Sequence, residues 1–259
     1  MASPLAINTN VGSLSAQRQL TKTSRSMQQS ISRLSSGLRV QSAADNAAGM
    51  AVAENMRAQQ GGYKQAMRNA NDGVAVLQTA ESGYQNISDL LIRMRELAVQ
   101  AANDSISDTE RGYLNTEFSD LSSEIDRVAS VTEYNGINLL TGSGQSMVFQ
   151  VGTRNSDDDR ITVTLDSQFA STLGIEAAAV TSQGSAQGAI SAIDDALEAL
   201  STDRATIGST INTLNSAVDH LASTIENYGD ALSQIRDADM AEESAQFSKN
   251  QVLQQAGVA

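Results

Sequence analysis

The chain has no cysteine and no tryptophan, one proline (Pro4) and one histidine (His220), and aromatic residues make up only 3% of its 259 positions. Without cysteine neither a disulfide framework nor a thiolate metal site is available, which leaves the redox compartment open. So few aromatics argue against a thick globular core, and the interior has to be built from Leu, Ile, Val, Met and Ala between closely spaced helices. A lone proline near the start leaves long helices intact, since an interior proline costs a helix about 3 kcal/mol. Positive charge is also scarce: 17 Lys and Arg stand against 30 Asp and Glu, a net charge of −13 that disfavours nucleic acid as a partner. No stretch approaches the roughly 18 apolar residues of a membrane helix. The opening MASPLAINTN has no basic segment followed by an apolar one, so neither a membrane span nor a cleavable signal peptide is expected. A cytoplasmic address and export by a signal-independent route both fit.

What the chain does have is a long heptad. Fourteen positions spaced alternately three and four apart run through Ile190, Ile193, Leu197, Leu200, Arg204, Ile207, Ile211, Leu214, Val218, Leu221, Ile225, Tyr228, Leu232 and Ile235, and thirteen are apolar or aromatic. A mean spacing of 3.5 keeps one stripe of a helix facing a partner and imposes a left-handed supercoil. At about 1.5 Å per residue this helix alone is roughly 70 Å long. A thin rod cannot bury its own stripe, so it must pack along other long helices, and its function is structural or assembly-driven.

Partners for that stripe precede it. The spacing predicts a helix from about 10 to 36, with the stripe Met27, Ile31, Leu34 and Leu38, then a small-residue connector at 37–49. A second helix runs to about 102, with Leu77, Ala80, Tyr84, Ile87, Leu91, Met94, Ala98 and Ala101 on one face. Ser107 and Glu110 form a capping box for a third, striped by Leu114, Phe118, Leu121, Ile125 and Val128. Met147, Phe149 and Val151 then alternate, as do Ile161, Val163 and Leu165, which predicts a β-hairpin at about 147–165 around a charged loop. The long heptad helix ends near Asp237, and a last helix follows. The helix-seam positions are Leu91, Met94, Leu121, Ile125, Ile207, Ile211, Leu214, Val218, Leu221 and Ile225.

Candidates for chemistry are few. His220 lies beside the seam and reads as a solvated helix residue; with one His and no Cys, a Ser-His-Asp arrangement would need a cleft that a rod does not offer. The run Asp157-Asp158-Asp159 lacks the alternating oxygens and glycine of an EF-hand loop and reads as a loop tip. No catalytic, cofactor-binding or metal-binding residue is assigned, and no cofactor is expected. Arg204 is the one break in the heptad. Either it fixes the register at some cost in stability, or its stem covers the stripe while the guanidinium reaches water. Arg93 and Leu97, four apart, share a helix face, sit off the Leu91, Met94, Ala98 seam and read as a subunit–subunit contact.

Five segments in order, ISRLSSGLRVQSAADNAAG (31–49), RNANDGVAVLQTAE (68–81), RMRELAVQAAND (93–104), EIDRVASVTEYNGINLL (124–140) and IRDADMAEESAQFSKNQVLQQAG (235–257), resemble the bacterial flagellins over nearly the whole chain. The resemblance implies a mainly α fold: a long antiparallel helical rod, coiled-coil-like, with a small β-hairpin and paired terminal helices. It places the N-terminal part of an inner helical domain and a connector at 1–43, the rod at 44–237 and the C-terminal part of the inner domain at 238–259, without variable outer domains. Relatives continue past QVLQQAG with further helical turns, whereas this sequence stops at Ala259: either it is a truncated or incompletely represented form or its C-terminal helix is short, and a protein ending there is expected to assemble more weakly than one with the helix continued. By the same resemblance the chain is a non-enzymatic subunit of the extracellular flagellar filament. Its implied partners are itself, the export apparatus, a flagellin chaperone, and the hook-associated and cap proteins. Arg93, Leu97 and Glu117 match positions contacted by animal toll-like receptors, with Ile92 where strongly sensed relatives carry Gln. A hook-filament junction protein is the nearest rival; a chemotaxis-receptor bundle would need a membrane span.

Overall fold

The computed structural model of the protein describes residues 10–142 and 146–258. In chain order come α1 (Val11–Ser36), α2 (Ala47–Ala101), α3 (Asp108–Val131), β1 (Glu133–Tyr134), β2 (Ile137–Asn138), β3 (Ser146–Gln150), a 3-10 turn at Asp157–Asp159, β4 (Arg160–Thr164), α4 (Gln183–Arg236) and α5 (Met240–Val258). The class is mainly α, as the periodicity implies. Helix ends fall where the capping chemistry puts them. Asn10 accepts from the Ser13 N–H at 3.1 Å to start α1, and Gly37 ends it in the left-handed region at φ 72°, a conformation with no steric cost for glycine. At α3 both halves of the capping box form: the Ser107 hydroxyl accepts from the Glu110 N–H, and the Glu110 carboxylate accepts from the Ser107 N–H at 2.8 Å.

The chain divides into two compact units, a terminal one of Met1–Gly61 with Ile225–Ala259 and a central one of Gly62–Thr224. These bounds differ from those expected: residues 44–61 and 225–237, assigned above to the rod, group with the terminal helices.

In the central unit α2 and α4 run antiparallel, since Arg95 pairs with Asp194 at 2.7 Å while Arg204, further along α4, pairs with Glu81 at 2.7 Å. All eight α2 stripe positions from Leu77 to Ala101 are fully buried. On α4 buried positions recur every seven residues, at Ala186, Ile193, Leu200, Ile207, Leu214 and Leu221, joined near the start by Ala189 and Ala196, while Ile190, Leu197, Ile211 and Val218 are half-buried beside them. Phe118, Ile125 and Val128 of α3 complete this core.

The predicted hairpin is present, with Met147 opposite Val163 and Phe149 opposite Ile161. It lies on α2: the Asn69 amide donates to the Gln150 carbonyl at 3.1 Å, and Gly73 offers a seat in which a Cβ would stand 3.0 Å from the Phe149 ring. Replacing Gly73 by a good helix former gains at most about 1 kcal/mol of propensity, against about 1–3 kcal/mol for overpacking. Gly73→Leu is therefore expected to lower the melting temperature; a rise would mean that the hairpin moves aside freely. A second, shorter hairpin, β1–β2, turns at Asn135-Gly136 with φ values of 51° and 76°. The Asn-Gly pair carries the signal for such a turn, yet two-residue strands leave no alternation to read.

Residues 165–181 form an irregular strap fastened by side chains. Asp126 and Asn115 of α3 accept from the Ala170 and Val180 N–H groups at 2.8 and 2.9 Å, and Ala170, Ile175 and Val180 are buried. Buried Gln168 donates to Asp203 at 2.7 Å and lies 3.4 Å from the Tyr84 hydroxyl. Burial pushes both the Asp203 carboxyl and the Tyr84 phenol up from their ordinary values.

Candidate assembly surfaces

In the terminal unit α1 and α5 pack antiparallel, Arg33 meeting Glu243 at 3.6 Å and Leu20 lying against Gly257. The face they share is small and polar. The buried side chains of α1 are Thr23 and Ser30, and that of α5 is Asn250. The apolar residues expected to form the α1 stripe are only half-buried at Met27, Leu34 and Leu38, and Ile31 is exposed. Thr23 and Ser30 alternate at 3–4 spacing with half-buried Leu20, Met27 and Leu34 on one face, and Ile31 lies outside it. Val11, Leu14, Val252 and Leu253 are likewise exposed, Val11 to 67%. Arg33 Nε and Asn250 Nδ2 are buried donors without a partner among the described residues, and both side chains line a polar cleft between α1 and α5. Orphaned buried donors are rare enough in finished structures to call for an explanation.

The connector is a tied structure rather than a loose loop. The Arg39 guanidinium caps the C-terminal carbonyls of α4 at Gln234 and Ile235, at 3.2 and 2.8 Å, while the Ala238 N–H donates to the Gly37 carbonyl. Asp45 closes the turn, accepting from the N–H groups of Gln41 and Ser42 and from the Ser42 hydroxyl. The Ser42 N–H and hydroxyl, chiefly, hold its carboxyl below the unfolded value of 3.8. A folded pKa that is depressed makes a contribution present above the unfolded value and lost as the pH falls through the folded one. Protection of the Gln41 and Ser42 amides is expected to fall below about pH 4, and Asp45→Asn should remove that dependence. An unchanged pH profile in the variant would show that Asp45 does not hold the turn.

The seam residues divide by depth. Leu91, Met94, Ile125, Ile207, Leu214 and Leu221 are fully buried, whereas Leu121, Ile211, Val218 and Ile225 are half-buried, Ile225 within the terminal unit. His220 is exposed, and Asp157 pairs with Arg160 at 3.2 Å while Asp159 accepts from the Arg154 N–H. Arg204 reaches Glu81 and Gln85 of α2 while its side chain stays about one-third exposed, so the break in the heptad is a cross-helix polar link at the solvent edge. Arg93 and Glu117 are exposed and joined at 2.7 Å, which lifts the Arg93 pKa through the Glu117 hydrogen bond. Leu97 corrects the expectation: it is 1% exposed and belongs to the core. Between Leu91 and Ala101 α2 buries a stripe wide enough for both α3 and α4, and Leu97 falls inside it beside Ala98. Sequence reasoning also missed the strap fasteners and Arg111. The latter is a buried arginine that closes the end of α2 by donating to the carbonyls of Ala101 and Asn103, at 3.0 Å each.

A densely packed helical unit joined in one chain to a thinly packed helix pair with outward apolar residues defines a structural subunit. The sequence pattern of the bacterial flagellin N-terminal helical region matches residues 7–145, and that of the C-terminal helical region matches residues 190–259. The chain is 38% identical to the flagellar filament 33 kDa core protein of Treponema phagedenis, over 98% of this chain and 94% of that protein. It is 33% identical to a flagellin of Bacillus subtilis (strain 168), with the same coverage. It is also similar to the crystal structure of Bacillus cereus flagellin, with a TM-score of 0.52 and 29% identity over 60% of this chain and 88% of that one. The chain belongs to the bacterial flagellin family, the structural subunits of the flagellar filament. A putative flagellar hook-associated protein from Vibrio parahaemolyticus shares the fold, with a TM-score of 0.62 over 74% of this chain and all of that one. At 16% identity it speaks for the fold alone, so the hook-junction reading is not the better supported.

Proposed function

We propose that this flagellin polymerises head to tail into an open helical filament outside the cell, and that its terminal unit is completed by neighbouring copies. The carrying observation is that α1 and α5 bury Thr23, Ser30 and Asn250 between them while Val11, Leu14, Val252 and Leu253 face outward. Helices with so little buried apolar surface are marginal alone, and ordering them needs surface supplied from outside. Association that does not close into a ring yields a filament. The same marginal packing suits passage through the flagellar export apparatus with a chaperone, and hook-associated and cap proteins then meet the polymer at its ends. The role is mechanical and non-enzymatic. Electron microscopy of the purified protein under polymerising conditions tests this: filaments are expected, and short caps or soluble dimers would favour the hook-junction reading instead.

One further partner is supported by a specific observation. Arg93 of α2 and Glu117 of α3 form an exposed pair at 2.7 Å. This face suits a toll-like receptor contact in the monomer, carried by Arg93 and Glu117 without Leu97. Arg93→Ala is expected to weaken receptor activation by monomer; equal activation would remove the reading.

A further inference from the structure

Charge is distributed unevenly between and within the two units. The central unit carries 22 acidic against nine basic residues, hence the whole net charge of −13, whereas the terminal unit has eight of each. Central units of neighbouring copies therefore repel one another on net charge, whereas terminal units are neutral overall. There the charges are sorted. Helix α1 has Arg18, Lys22, Arg25 and Arg33 and no acidic residue. Arg18, Lys22 and Arg25 follow i, i+4, i+7 spacing on one face and are exposed, with Leu14 and Thr21 beside them. Arg33 has Glu243 as a partner, but none of the other three forms an ion pair among the described residues. At the far end of α4, Glu226 and Asp230 stand at i, i+4, exposed and equally unpaired among the described residues.

We propose that the Arg18, Lys22 and Arg25 face of α1 docks on the Glu226 and Asp230 face of α4 in a second copy of this chain. The two faces have opposite sign and the same pitch, about 6 Å between charges four residues apart on a helix. Neither forms an ion pair with the described residues of its own chain, and exposed Leu14 beside the basic face supplies apolar contact at the same place. This inference rests on the filament reading and names one interface that the filament would use.

The test uses the 259-residue chain and two charge-reversed variants, R18E/K22E/R25E and E226K/D230K, each checked for wild-type thermal melting. In pelleting across a concentration series each variant alone is expected to need at least about tenfold more protein than wild type, since like charges now meet at the contact. An equimolar mixture of the two variants is expected to recover near-wild-type assembly, because each acidic α1 then meets a basic α4 and each basic α1 an acidic α4. Damage unrelated to this contact gives no such rescue. The inference is overturned if the variants pellet like wild type, or if the mixture stays as poor as its components. It is also overturned if the basic face instead carries the monomer onto vesicles of anionic lipid while leaving assembly unaffected. Failure of wild type to form filaments overturns the filament reading and this inference with it, whereas filaments from wild type and variants alike overturn this inference alone.

Discussion

Leu214→Lys is expected to unfold the central unit, whereas His220→Ala, six residues along the same helix, leaves its melting unchanged. Leu214 is fully buried in the core that α4 builds with α2 and α3. Removing it costs about 2–5 kcal/mol through lost burial and the cavity left behind. The lysine then adds an ammonium group that must be desolvated or must drag its stem to the surface, worth several kcal/mol more. A domain has about 5–15 kcal/mol in total, so the variant sits at or beyond the edge of folding. His220 is exposed and gives up only solvent-facing contacts. Thermal melting by circular dichroism checks both, and similar shifts for the two would mean that α4 packs through another face.

The second large effect is expected at Arg111→Met, which keeps much of the stem volume and deletes the guanidinium. That group is buried and donates to the carbonyls of Ala101 and Asn103 and to the carboxylate of Asp108. The carbonyls at a helix end have no intrahelical partner, and hydrogen bonds from a charged donor contribute about 1.5–3 kcal/mol each when their loss leaves a buried acceptor. Asp108 is solvent-exposed and loses little, and Asn103 can be rehydrated, so the expectation is a loss of about 2–4 kcal/mol dominated by the Ala101 carbonyl. Faster amide exchange in the last turn of α2 and the first turn of α3 should accompany it. Wild-type melting with unchanged exchange there would show that water replaces the guanidinium at no cost.

The parts of this fold that were legible in the sequence are those ruled by period and capping. The eight α2 stripe positions repeat every 3.5 residues and all are buried, and the Ser107 box and the alternating hairpin strands fell in place for equally local reasons. Depth was less legible than direction. Ala186, Ala189 and Ala196 are buried on α4, but alanine is common on either face of a helix and marks no stripe. Leu97 was misplaced because a two-partner helix buries a wider band than a single seam. Arg204 was readable as a break in the heptad, yet its partners Glu81 and Gln85 lie more than a hundred residues away and leave no local mark. The strap around Gln168 was invisible, since it has no period and is held by Asn115 and Asp126 of another helix. In the terminal unit the apolar stripe of α1 is legible at Met27 and Leu34, but the deepest positions of that face are Thr23 and Ser30, whose polar side chains mark no stripe.

That substitution of polar for apolar packing sets the two units apart in stability, because local opening free energy follows buried apolar contact. On the filament reading proposed above, the central unit is accordingly a folded scaffold in the free subunit, and α1 and α5 gain their order from neighbours. Residue-resolved hydrogen exchange, comparing dilute monomer with assembled filament, tests this most directly. The account predicts that amides of α2, α3 and α4 within 62–224 are protected in both states, while those of α1 and α5 exchange near intrinsic rates in the monomer and slow by at least about a hundredfold in the filament. Equal protection of α1 and α5 in monomer and filament would contradict it.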